Sequence, residues 1–117
     1  MALYERLLGR TDAGVPVAGK IPLHQFMALI GEQQRGKITS AQANTAQQAI
    51  SGGPALNAAE LTEVSTLIAS VPTGTTTANQ AARSLRLLEI EQILYLGDLL
   101  IAGYDTPTAL KAKLGIP

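Results

Sequence analysis

The residues able to do chemistry are few. The chain has one histidine and no cysteine, which excludes disulfides, thiolate metal sites, cysteine nucleophiles and histidine clusters. His24 as a general base or metal ligand would need a carboxylate or second ligand at helical spacing. Glu32 is two turns away, so His24 reads as a partly exposed residue at a helix start. Glu60 and Glu63 stand one turn apart, as do Glu89 and Gln92. Paired carboxylates do acid–base chemistry where their surroundings split their pKa values. The run Asn57-Ala58-Ala59-Glu60 gives Glu60 another task, closing a capping box, and Glu63 reads as solvated surface. Gly31 to Gly36 lacks the Lys-Ser/Thr of a phosphate loop, and Gly36-Lys37-Ile38-Thr39 lacks the upstream glycine and strand. The expectation is no enzyme: no catalytic residue, cofactor or metal.

Charge points the same way. Nine basic and nine acidic residues cancel over 117 positions, and only 15% are charged. A module held by phosphate contacts ordinarily shows a basic excess. A helix-turn-helix reading of residues 39–50 meets Asn44, Gln47 and Gln48 but no cation. No specific nucleic-acid binding is expected. The most apolar stretch, Ile93 to Ala102, covers 10 residues, against the ~20 that span a bilayer. Residues 1–8 also lack the basic start and unbroken apolar run of a signal peptide. No membrane partner is expected.

The elements that would position any site are helical. Leu3/Leu7 and Tyr4/Leu8 are i,i+4 pairs, so residues 2–8 form a short helix ending at Gly9. Residues 9–20 hold three glycines and a proline without periodicity and read as an extended arm. Pro22 opens a second helix whose Leu23, Phe26, Met27 and Ile30 share a face, with Gly36 as its stop. Thr39 to Gln42 is a capping box for a helix to about Ile50, stopped by Ser51-Gly52-Gly53-Pro54. Asn57 starts the next, with Leu61, Val64, Leu67 and Ile68 inward, ending near Ser70-Val71-Pro72. Thr77 with Gln80 starts the longest, residues 78–102, about 37 Å long, with Gly103 as its stop. A last helix follows Thr106-Pro107 with Leu110 and Leu114. No real length alternates with period two, so no strand is expected.

The fold class is therefore all-α, a single domain of four to five helices around the long one. Residues 1–21 form an N-terminal amphipathic segment and arm, and 22–117 the helical domain. The long helix exposes Arg83, Arg86 and Glu89 early on. Later it carries two apolar stripes, Leu87/Ile90/Leu94/Ile101 and Leu85/Leu88/Leu96/Leu99. A helix apolar nearly all round is buried on all sides, and Leu94 and Leu96 are both expected to be buried. The short helices offer few large side chains to cover both stripes. The expected partner interface is therefore Leu87, Ile90, Leu94 and Ile101 together with the arm residues Leu3, Tyr4, Leu7, Leu8, Val15, Val17 and Ile21. The arm orders on contact, and without residues 1–20 a folded core beginning at Pro22 is expected to remain.

Several runs resemble small helical virion proteins, capsid- or tail-associated, of tailed bacteriophages. They are Ala-Leu-Tyr-Glu-Arg-Leu-Leu-Gly (2–9), Lys-Ile-Pro-Leu-His-Gln-Phe-Met-Ala (20–28), Arg-Gly-Lys-Ile-Thr-Ser-Ala-Gln (35–42), Leu56 to Ile68 and Leu110 to Ile116. The likeness implies a structural component of a virion, head- or tail-associated, with no catalytic residues to carry over. Its partners would be itself or other virion proteins, as a homo-oligomer. Its location would be the virion, after synthesis in the host cytoplasm. The alternative is a small intracellular helical adaptor or regulator docking on one protein partner.

Overall fold

The computed structural model describes residues 2–34, 39–51 and 55–116. The order is α1 (Ala2–Leu8), α2 (Leu23–Gln34), α3 (Ser40–Ser51), α4 (Ala58–Ala69), α5 (Thr77–Asp98) and α6 (Pro107–Leu114). The described residues hold no strand, only an isolated bridge between Arg10 and Pro16. The chain is all-α. The expected stops at Gly36 and Gly52-Gly53-Pro54, and the Gly36-Lys37-Ile38 run, lie outside the described residues.

Helix starts follow local chemistry. The Gln42 amide donates to Thr39 Oγ1 at 3.2 Å, and the Thr39 amide donates to Gln42 Oε1 at 2.9 Å. Asn57 and Glu60 repeat the exchange ahead of α4, both bonds at 2.9 Å. Each box satisfies two amides that a helix start leaves without partners. Before α6, Thr106 Oγ1 accepts from the Ala109 amide at 3.2 Å, with Pro107 in the first turn. The cap of α5 is Thr76 and not Thr77, since Thr76 Oγ1 accepts from the Asn79 amide at 3.2 Å.

The end of α5 departs from expectation. The helix stops at Asp98, four residues short of 102. The Leu100 amide donates to Gly97 O and the Ile101 amide to Leu96 O, both at 3.0 Å. This is the bond pair of a Schellman stop, built on Leu100 at φ 62° where glycine is usual. Gly103 lies beyond the helix. The early stop has a steric companion at Gly97, which is buried. A Cβ there would stand 2.7 Å from Tyr104 O and 2.8 Å from Leu8 Cδ2. Only a glycine lets the chain fold back so close to the helix.

The expected arm is not an arm. Leu3, Tyr4, Leu7, Leu8 and Ile21 are all buried, and α1 packs against α4, α5 and α6. A seven-residue helix is too short to persist alone; here its own chain supplies the apolar surface, including Val64, Leu67, Ile90, Leu94, Leu110 and Leu114. Residues 9–21 fold back by backbone bonds: Thr11 N to Val15 O at 2.9 Å, Val17 N to Gly9 O and Ile21 N to Arg6 O, both at 3.0 Å. One core therefore replaces the division into 1–21 and 22–117. Of the two stripes on α5, Ile90 and Leu94 are buried and Leu87 is half-buried. Leu96, expected inside, is half-buried, and so are Arg83 and Arg86, expected outside.

Removing residues 1–21 deletes five core side chains. The truncated chain is expected to lose its cooperative thermal transition by circular dichroism; a sharp melt with native helicity would return α1 to the role of an appendage. Leu94→Ala is expected to cost about 2–5 kcal/mol by chemical denaturation, whereas Leu85→Ala, on the outer stripe, stays within about 0.5 kcal/mol.

Candidate functional site

An α5 residue advances about 100° around the helix axis. Residues 85, 88, 92, 95, 96 and 99 therefore fall in one band roughly 100° wide, opposite the band of Ile90, Ile93, Leu94 and Gly97. The second band is core. The first is open: Leu85 is 67% exposed, Leu88 49%, Tyr95 56% and Leu99 54%, and the row runs on into Leu100 at 65% and Ile101 at 43%. Leu88, Glu91, Gln92, Tyr95 and Leu96 line a shallow groove along it. The stripe expected to meet a partner is thus largely covered by the chain, while Leu85, Leu88 and Leu99 of the other stripe, on a helix expected to be buried on all sides, face solvent.

Buried Leu3, Tyr4, Leu7, Leu8, Ile21, Ile90 and Leu94 are removed from any partner face that leaves the fold intact. Val15 is exposed and Val17 and Leu87 are half-buried. Ile101 adjoins the open row; Val15 and Val17 belong to the folded-back loop.

The residues with chemical potential have structural tasks. Glu60 is buried, and its Oε1 accepts from Arg6 Nη1 at 2.6 Å. Glu63, expected as solvated surface, accepts the Leu3 amide on Oε2 at 3.1 Å and so serves the start of α1. Asn44 is occupied by the Leu56 backbone, donating to its carbonyl at 3.3 Å and accepting its amide at 3.4 Å. Exposed His24 lines a cleft between α2 and α5 with Lys20, Met27, Glu91, Tyr95 and Asp98. Lys20 Nζ lies 3.0 Å from Asp98 Oδ1, so the cleft's cation and one of its anions neutralise each other. Among the described residues no three His, Cys, Asp or Glu side chains cluster to hold a metal. No described helix is long and apolar enough to cross a membrane.

The cations form a network that sequence reasoning missed. Arg6 also donates to Gly19 O at 3.0 Å and Ala55 O at 2.9 Å. Arg10 donates to Asp105 O at 2.8 Å, Leu8 O at 3.0 Å and Gly97 O at 2.6 Å. Arg83 takes Pro72 O at 3.1 Å and also Gly74 O. Arg86 takes Leu114 O at 2.6 Å, Ser70 Oγ at 3.0 Å and Glu89. Lys111 lies over the Tyr4 ring, 5.8 Å from its centre, and Lys113 over Tyr104 at 5.2 Å. These partners are up to 95 positions away, and no local pattern announces them.

Among the described residues, two titratable groups are displaced from their ordinary range. Hydrogen bonds from the Thr108 hydroxyl and amide hold the Asp12 carboxyl low, and they fasten the folded-back loop to the first turn of α6. Burial, with Glu63 nearby adding to it and Arg86 opposing, pushes the Tyr4 hydroxyl up to about 12. That hydroxyl is buried with no hydrogen-bond partner in the structure.

Compared with protein-family models, curated proteins and solved structures, the chain matches none. The case for a site therefore rests on the α5 row.

Tyr4 yields a pH prediction. An unfolded tyrosine ionises near ~10, below the folded value of about 12. Above pH ~10 the unfolded chain gives up the proton first, so stability falls as pH rises, by up to about 2–3 kcal/mol at the top of the window. Tyr4→Phe is expected to flatten that fall and, by removing an unpaired buried hydroxyl, to leave neutral-pH stability unchanged or about 1 kcal/mol higher. Urea titrations of both proteins at about pH 8 and pH 11 check it; parallel losses would place Tyr4's hydroxyl in water.

Proposed function

We propose that this chain is a structural component of a bacteriophage virion, head- or tail-associated, acting through protein–protein contacts made by the open row on α5. The row itself carries the assembly reading. Single exposed leucines are ordinary on a monomer. A continuous band of large apolar side chains, on the helix that also centres the core, marks an interaction surface. Six side chains, each roughly half exposed, present on the order of 500–600 Å², the upper end of a monomer's largest patch.

Charge supports a protein partner over a nucleic acid. Each described lysine and arginine engages a carbonyl, a carboxylate or a tyrosine ring within the chain, and the net charge is zero. Phosphate binding draws on unengaged cations. The virion setting comes from the resemblance of residues 2–9, 20–28, 35–42, 56–68 and 110–116 to phage structural proteins.

Light scattering across a wide concentration range, on the full chain and on Leu88→Glu, tests the assembly reading. Mass above the 12.2 kDa protomer is expected for the full chain and lost in the variant, whose melting temperature should hold. Mass spectrometry of purified particles tests the setting. A protomer at every concentration and no copies in particles would overturn the proposal in favour of an adaptor docking on one protein.

A further inference from the structure

We infer that the occupant of the α5 row is a second copy of this chain, laid antiparallel about a two-fold axis at Gln92. The inference rests on the assembly reading above and names its partner. The row is a palindrome: Leu88 and Leu96 lie four residues either side of Gln92, and Leu85 and Leu99 seven. Antiparallel pairing sets Leu85 against the second copy's Leu99, Leu88 against its Leu96, and each contact occurs twice. That is the isologous arrangement a two-fold interface requires.

The central polar position obeys the same symmetry. Gln92 meets its own counterpart, and a carboxamide carries both donor and acceptor, so two of them pair reciprocally. A lone polar residue in an apolar seam fixes register. A parallel pairing would set each leucine of the row against its own counterpart and leave the symmetry about Gln92 without a role.

Area and strain agree. Two copies of the row would bury on the order of 1,000–1,200 Å², the lower bound for a specific interface, so pairing is concentration-dependent. Leu100 occupies the left-handed region at φ 62° while 65% exposed. In the isolated chain glycine would hold that stop with less strain. A leucine there is accounted for by a contact that extends the row past Leu99.

The chain lacks cysteine, so single cysteines on the row report geometry cleanly. Gln92→Cys is expected to form a disulfide-linked dimer on mild oxidation, because the axis brings position 92 onto itself within bridging distance. Leu85→Cys alone and Leu99→Cys alone are expected to stay unlinked, their like positions being about 20 Å apart in an antiparallel pair. An equal mixture of the two should link 85 to 99. All three sites are exposed, and unchanged melts of the reduced variants confirm the fold. Self-linking at 85 and 99 without the mixed product would overturn the inference in favour of parallel pairing. No linking at any site, while the wild type still assembles through the row, would overturn it and leave the assembly reading standing. A wild type that remains a protomer at every concentration would overturn this pairing, with particle content still deciding the broader reading.

Discussion

One carboxylate oxygen, Oε1 of Glu60, takes both the Asn57 amide and the Arg6 guanidinium. The first bond starts α4; the second fastens α1 to it. Arg6 then reaches Gly19 O and Ala55 O, so the folded-back loop and the approach to α4 are tied at one point. The Glu60 side chain is fully buried and that of Arg6 only 16% exposed. Burying two charges is costly, and their pairing offsets that cost only when both are present. Losing either partner would leave an unpaired charge beneath α1, a loss of about 3–5 kcal/mol. With α1 go four of the chain's largest core side chains.

The other arginines extend the device to helix ends. None of α2, α3, α4 and α5 carries a basic residue in its last turn, where a cation would complement the helix dipole and the unpaired carbonyls. At α4 and α5 distant arginines do so instead, and the same two side chains also reach the ends of α6 and α1. Arg10 takes carbonyls at the ends of α1 and α5, and Arg86 takes the end of α6 and the Ser70 cap of α4. The planar guanidinium suits this, since its fork serves several acceptors at once.

What was legible in the sequence tracks interaction range. Capping boxes at Thr39 and Asn57, the Thr106-Pro107 start and the apolar periodicities depend on residues within one or two turns, and they read out directly. The end of α5 misled because Gly103 looked like the stop, whereas the close approach at Gly97 and the turn at Leu100 are set by contacts with α1 and α6. The arm misled for a similar reason. Three glycines suggested reach, yet the bridge at Arg10 and the bonds of Asp12 to Thr108 return the loop to its own domain. The two stripes of α5 were visible as stripes. Which one is covered depends on how many neighbours stack around the helix, a quantity no periodicity contains.

That number is set by thickness. The molecule measures 43 × 32 × 21 Å, and its thin dimension is about two helix diameters. In such a slab a helix has one covered side, however apolar its other side is. The core-facing side of α5 is covered by α1, α2 and α6, which meet Ile90, Leu94 and Gly97 and leave Leu85, Leu88 and Leu99 bare. Covering the second band from within would take a further helix. A second copy of α5 covers it with no added sequence, provided the band is complementary to itself, and the spacing of its leucines about Gln92 is the condition for that. The same slab geometry makes α5 the centre of the fold on one side and the open surface of the molecule on the other.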